Sequence, residues 1–255
     1  MSAGVHPESS MFLRARIFGD LPHGFATRAG GVSGGAFASL NLGRQTGDDA
    51  SHVAKNHERL AAAAGFDPKR LATPARQVHG ATVVRAATPQ NAECDCDAIV
   101  SCADLVLGVR TADCVPVLLW HPASGFAAAV HAGWRGVAAS IVPAAVRAME
   151  HDPKEIRAAI GPAIGLCCYE VDDATAGQVL AAAPQTITDP TTPGHVRIDL
   201  VAGVHGQLAG AGIPGTAIEA VGGCTSCDVD RFFSHRRDRG TTGRHLSFIT
   251  AGVTR

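Results

Sequence analysis

The sequence predicts a single α/β domain built on mixed sheets, and three observations carry that expectation. Short apolar runs alternate with stretches of helical periodicity, the mark of strands interleaved with helices. Neither an internal repeat nor a linker between two composition regimes divides the chain. Its 255 residues are 46% hydrophobic, enough to enclose a substantial core.

In chain order, residues 1–10 read as disordered and the domain as 11–255. Residues 11–18 alternate enough for a first strand, and 23–27 form a short second one. A glycine-dense loop follows over 28–35 and 40–43, with neither GxGxxG nor a Walker pattern. Its backbone can approach a ligand closely, and Arg28 at its root adds a guanidinium fork that suits phosphate or carboxylate. Asp48 and Asp49 can cap a helix over 51–64, with Gly65 as its stop. His52 and His57 stand five apart on that helix and read as surface residues. Residues 71–76 are extended, as Pro74 favours, and deliver Gln77-Val78-His79-Gly80. Strands are expected over 82–85, 98–101, 105–110, 115–120 and 126–130. Residues 137–149 form an amphipathic helix in which Pro143 either makes a kink or marks the true first turn. A strand over 157–160 precedes a helix capped by Asp172 or Asp173 and ending near 183. Residues 184–194 read as a Pro/Thr loop, followed by a strand over 196–198 and a helix over 199–210. Strands over 216–221 and 245–249 complete the chain.

Composition excludes several classes of function. A net charge of -1 provides no field to hold a polyanion, so nucleic acid is not an implied partner and any anion site must be local. The N-terminal residues lack a basic n-region and an apolar h-region, and no apolar run approaches the length of a membrane span, so the cytoplasm is the expected compartment. Eight cysteines are too sparse for a disulfide scaffold and read mainly as buried free thiols. Cys94-x-Cys96 has the wrong spacing for a zinc knuckle, and Cys224-x-x-Cys227 is a single pair. Cys167 and Cys168 are adjacent, and on a strand they point to opposite faces, so at most one is expected to join any site.

The chemistry concentrates where the two most apolar runs meet. Cys114 precedes the run 115–120 and His131 follows the run 126–130. Joined as an antiparallel pair through the turn at 121–125, they bring the start of one strand beside the end of the other. Cys114 and His131 then face each other across one sheet edge. His79 joins them only if the fold permits, since the separations are too long for a one-helix or one-knuckle motif. Each residue alone is more often a satisfied core side chain than a ligand. Both histidines, however, stand beside glycines at element boundaries, where strand ends carry chemistry. Two His and one Cys leave the fourth position of a tetrahedral zinc open, as in catalytic sites.

Seven segments then form a recognisable set: GFATRAGGVSGGAFASLNLG, GDD, QVHG, TADCVPVLL, AAVHAGWRG, AIGPAIGLCCYEV and FFSHRRDRGTTGR. Together they resemble the YfiH/YlmD-type laccase-domain family, formerly called multicopper polyphenol oxidases and now regarded as purine nucleoside phosphorylases. The resemblance runs from about Leu21 to the C-terminus. It implies a single domain with a four-layer α/β/β/α sandwich, a metal held by His79, Cys114 and His131, and substrate contacts from Arg28 and Asn41. It further implies zinc as cofactor, copper being less favoured, and a monomer. The implied activity is phosphorolysis of adenosine, inosine and S-methyl-5'-thioadenosine, with adenosine deamination beside it. At the position of His235 the family often has Tyr.

Two other chemistries fit some of the same residues. A copper oxidase of phenols can use two His and a Cys, but multicopper centres need clustered HxH pairs that this chain lacks. A metal-free cysteine hydrolase would use Cys114 as nucleophile and a histidine as base.

Overall fold

The computed structural model describes residues 11–252, so the expectation of a disordered 1–10 segment lies outside the described residues. In chain order the elements are β1 (Phe12–Leu13), β2 (His23–Ala26), α1 (Ala50–Ala64), β3 (Leu71–Ala72), β4 (Val83–Arg85), β5 (Ala98–Ser101), β6 (Val106–Thr111), β7 (Val115–His121) and β8 (Phe126–Ala132). Then come α2 (Trp134–Ala138), α3 (Ile141–Ala148), β9 (Arg157–Ile160), β10 (Glu170–Asp172), α4 (Asp173–Ala182), β11 (Ile187–Pro190), β12 (His195–Asp199), α5 (Leu200–Gly210), β13 (Ile218–Ala220) and β14 (His245–Thr250).

Two mixed sheets form the centre. One has the order β1-β2-β14-β6-β3 and the other β13-β9-β7-β8-β5-β4. Side-chain alternation along β7 and β8 shows how they stack. Leu118, Ala127 and Ala129 pack with Leu107, Val109 and Ile249 of the first sheet. Their neighbours Val117, Leu119, Ala128 and Val130 turn the other way and pack under Ile141, Val142 and Val146 of α3 and Val204 of α5. On the outer face of the first sheet, Leu60 and Ala61 of α1 meet Val106, Leu246 and Phe248. The order is therefore α1, first sheet, second sheet, remaining helices: a single four-layer α/β/β/α sandwich. β7 and β8 are covered on both faces, which is why they read as continuous apolar runs rather than alternating ones.

Local signals set most boundaries. Asp49 caps α1 by accepting from the Ser51 N–H, and Gly65 ends it with a φ of 73°. Asp172 and Asp199 cap α4 and α5 in the same way. The helix expected over 137–149 is two, broken at Ser140 with a φ of 61°, and Pro143 falls in the first turn of α3, where no N–H partner is lost. Two expectations need correction. Only Phe12–Leu13 of the 11–18 stretch is strand, with a 3-10 turn at Arg16–Phe18. Part of the 184–194 loop is β11, paired antiparallel with β12 in a small sheet with β10. Its four exposed or half-exposed residues, Ile187 to Pro190, are too few and too Pro-interrupted to mark a strand, so the pairing is imposed by β12.

Candidate metal centre and anion cleft

The β7–β8 pairing is antiparallel, with Val115 opposite Ala132 and Pro116 opposite His131. That register places Cys114 and His131 at one edge of the second sheet, as the apolar runs imply. His79 arrives on the loop before β4. The Gln77 amide anchors that loop by donating to the Arg110 carbonyl (2.7 Å) and accepting from the Arg110 N–H (2.8 Å), the pair of bonds a neighbouring strand would make. The metal-capable atoms of His79, Cys114 and His131 all lie within 4.8 Å of one another.

Asp97, completely buried just before β5, organises the group and was missed in the sequence. One carboxylate oxygen accepts from His131 Nδ1 (2.9 Å) and from the His79 N–H (2.9 Å), and the other accepts from the Gly80 N–H (2.8 Å). His79 takes a left-handed φ of 60°, a strained choice for a side chain of its size, and the two bonds from Asp97 hold it there. With Nδ1 of His131 occupied by the carboxylate, its Nε2 is left for a metal, the usual carboxylate–histidine–metal arrangement. A signal existed: Asp97 directly precedes an apolar run, where a carboxylate without partners could not be buried.

The electrostatics suit a cation. Burial opposes ionisation of Cys114, but the adjacent His131 and hydrogen bonds from both histidines hold its thiol below the ordinary range. Burial likewise opposes charge on His131, yet the Cys114 thiolate and Asp97 raise its pKa. A thiolate thus stands ready for a soft ion. Gly133 is a fit requirement: a Cβ there would lie 2.8 Å from His79 Cδ2 and 3.1 Å from Cys114 Sγ. The donor set of two imidazoles and one thiolate, with a carboxylate behind one ring, fits a mononuclear zinc.

The group opens into a cleft of about 910 Å³ lined by five arginines, Arg44, Arg76, Arg110, Arg236 and Arg244, beside Tyr169 and His235. Most of these guanidiniums are engaged. Arg110 donates to Thr73 and the Pro74 carbonyl, and its pKa is lowered to about 10 by burial and then by Arg44. Arg76 pairs with Asp95, Arg236 donates to the Glu170 carbonyl over the Tyr169 ring, and Arg244 donates to the Thr242 and Gly243 carbonyls. Among the described residues Arg44 is exposed and makes no such bond, so it is the cleft arginine most available to an anion.

Neither Arg28 nor Asn41, the two residues expected to contact substrate from the glycine-rich loop, lines the cleft directly. Arg28 donates to the carbonyls of Ala38 (2.8 Å) and Val229 (2.9 Å) and lies over Phe233, 4.7 Å from its ring centre. It ties the loop to the 229–233 segment. Asn41 is wholly buried; its amide oxygen accepts from the Gly43 and Arg244 N–H groups and its nitrogen donates to Thr46 and Asp48. Asn41 therefore shapes the cleft wall and has no atom left for a ligand. His57, read as a surface residue, donates from Nε2 to the Leu42 carbonyl at 3.1 Å, and burial, with Arg44 nearby, lowers its pKa to about 4.

The family model described as multi-copper polyphenol oxidoreductase laccase matches residues 22–252. Purine nucleoside phosphorylase YlmD of Geobacillus stearothermophilus is 40% identical over 243 residues, covering 89% of this chain and 88% of that protein. A Streptomyces coelicolor protein named purine nucleoside phosphorylase is 44% identical over 232 residues, covering 89% of this chain and 93% of its own. The crystal structure of YlmD from Geobacillus stearothermophilus superposes with a TM-score of 0.88 at 36% identity, covering 97% and 98% of the two chains. Bacillus licheniformis YfiH superposes at 0.83 with 34% identity over 90% and 92%. Likeness of this extent, in sequence and in fold, makes the chain a member of the multi-copper polyphenol oxidoreductase laccase family.

Proposed function

We propose that the protein is a zinc-dependent purine nucleoside phosphorylase. It cleaves adenosine, inosine and S-methyl-5'-thioadenosine with phosphate to the free base and the (methylthio)ribose 1-phosphate, and it deaminates adenosine with the same three ligand residues. The observation that carries this reading is a two-His, one-Cys group opening into a cleft lined by five arginines. The relatives named purine nucleoside phosphorylase supply the substrate class.

His79, Cys114 and His131 would hold the ion; zinc, when bound, supplies a water of lowered pKa and a Lewis acid. The protein's own groups do the rest. Asp97 keeps the proton on His131 Nδ1 and fixes the ring. Arg44 and its neighbours lower the free energy of a phosphate dianion in the cleft, which phosphorolysis requires near the anomeric carbon. Tyr169 and Ile164 give the wall an apolar portion against which a purine can lie.

A single mononuclear group of mixed donors among the described residues favours this over phenol oxidation, which needs several clustered copper centres. The group and the cleft come from one chain, and the enzyme is proposed to act as a monomer; a light-scattering mass near 26.1 kDa would agree.

Incubation with adenosine, with and without phosphate, tests the reading once adenine, inosine and hypoxanthine are resolved. Adenine release should rise and saturate with phosphate and yield a pentose 1-phosphate, whereas inosine formation should ignore phosphate. Both should be lost in His79→Ala and His131→Ala. Base release that is indifferent to phosphate, or copper-dependent oxidation of a phenol without any of these products, would overturn the proposal.

A further inference from the structure

A second group of soft ligands lies outside the metal centre. The adjacent Cys167 and Cys168 do not sit on a strand; they occupy the turn at 166–168 between the end of β9 and β10, so both sulfurs reach one side. The turn at 225–227 after β13 brings up Cys224 and Cys227. Cys227 Sγ is 3.4 Å from that of Cys167 and 3.3 Å from that of Cys168, and all four sulfurs lie within 4.8 Å of one another.

We propose that Cys167, Cys168, Cys224 and Cys227 form a second, structural metal site that binds one zinc ion through four thiolates. Four sulfurs bound at 2.3 Å to a tetrahedral ion stand about 3.8 Å apart, so the observed packing needs only a small expansion around the metal. A multi-iron cluster would need its thiolates farther apart. All four are free thiols, at separations well beyond a disulfide bond. Cys224-Thr-Ser-Cys227 has the two-residue spacing of a zinc knuckle, and its missing second pair comes from the vicinal cysteines. The backbone also meets the cluster: the Gly165 N–H donates to Cys224 Sγ at 3.2 Å, the kind of bond that orients a metal-bound sulfur. Each thiol gives up a proton on binding, so one ion displaces up to four protons and the site carries a net charge of about -2.

The site has a structural task. The 163–165 and 224–227 segments are joined by the bridge of Ala163 to Cys224 and the Thr225 N–H bond to Ala163. Within the Cys-x-x-Cys turn, Thr225 donates to Asp113 Oδ1 at 2.7 Å, and Asp113 Oδ2 accepts from the Arg236 N–H at 2.7 Å. Asp113 directly precedes Cys114 and takes a φ of 92°, so the four-thiolate clamp braces a strained turn that positions a ligand of the other metal.

Zinc analysis of exhaustively dialysed protein tests this without reference to the enzymatic reading. The parent chain should retain about two zinc ions, and Cys114→Ser and Cys227→Ser about one each. Cobalt added to metal-free Cys114→Ser should give the intense charge-transfer bands of a tetrahedral tetrathiolate ion. Stripping the remaining zinc from Cys114→Ser should lower its Tm by about 5 °C or more. A Cys114→Ser protein that holds no zinc and gives no such cobalt spectrum overturns the proposal, and this arm does not depend on the folding of any clamp variant. An intact mass short of four thiol hydrogens would also overturn it, by showing two disulfides in place of the ion.

Discussion

His245 is buried as a neutral ring because the structure uses its lone pair. Its Nε2 accepts from the Phe233 N–H at 2.9 Å, a bond the protonated ring cannot make. Burial, followed by repulsion from Arg28, lowers its pKa to about 3, and His23 is lowered in the same sense while accepting from the Ala15 N–H. In the unfolded chain both titrate near 6.5. Their stabilisation is therefore complete above about pH 6.5 and is lost as pH falls toward the folded values, with a slope of about 1.4 kcal/mol per pH unit for each ring. Urea unfolding of the parent and of His245→Gln between pH 4 and 7 should differ by about one such slope; parallel curves would exclude the assignment. The arginines give a second residue-scale test. Arg28→Ala removes bonds from a charged donor to two carbonyls and should cost about 1–3 kcal/mol of stability with little change in phosphate KM. Arg44→Ala should leave Tm unchanged and raise phosphate KM about tenfold, the loss of one charge-assisted contact. The reverse pattern would restore Arg28 as the anion residue. The grouping of His79, Cys114 and His131 was legible in the sequence because each stands where an apolar run or a glycine marks a strand end. The loop tie made by Arg28 was not legible, because a guanidinium beside glycines fits a tie as well as an anion cradle, and only the bonds to the Ala38 and Val229 carbonyls reveal it.

At the scale of elements, the β7–β8 hairpin is the part that makes a site from distant residues. Its register fixes Cys114 against His131, and β8 then turns at Gly133 into α2, whose backbone passes close to both His79 and Cys114. Gly133→Ala should therefore strip the metal while leaving the hairpin paired: zinc content falls by about one ion per chain, and far-ultraviolet circular dichroism stays the same. Retained metal would mean that the His79 loop can retreat, contrary to its anchoring by Gln77 and Asp97. Apolar runs and capping residues revealed the hairpin, α1, α4 and α5, since those signals are local. β11 and the Cys167-Cys168 turn were not revealed. β11 owes its extension to β12 rather than to its own residues, and the paired cysteines were assigned the alternation of a strand that begins only at Glu170.

For the whole molecule, the layer between the two sheets is the common core. Leu118 is fully buried there among residues from both sheets, so Leu118→Ala should destabilise the protein by about 2–5 kcal/mol. It should do so in one cooperative transition seen alike by fluorescence and circular dichroism, since both sheets contribute to the layer that Leu118 fills. Two resolved transitions would show that the layers unfold independently. The four-layer arrangement was legible only through the family resemblance; residue patterns gave strands and helices but no order for the sheets, because burial on both faces removes the alternation that would orient them. Strand order has a further consequence, for synthesis. β14 lies between β2 and β6 in the first sheet, yet among the described strands it is the last to leave the ribosome. Until it arrives, β2 and β6 expose unpaired edges across the middle of that sheet, and the layer beneath stays open. The nascent chain must wait for β14 before this sheet can close, which makes the interval just before that strand emerges the time when a chaperone holding exposed β edges has most to do.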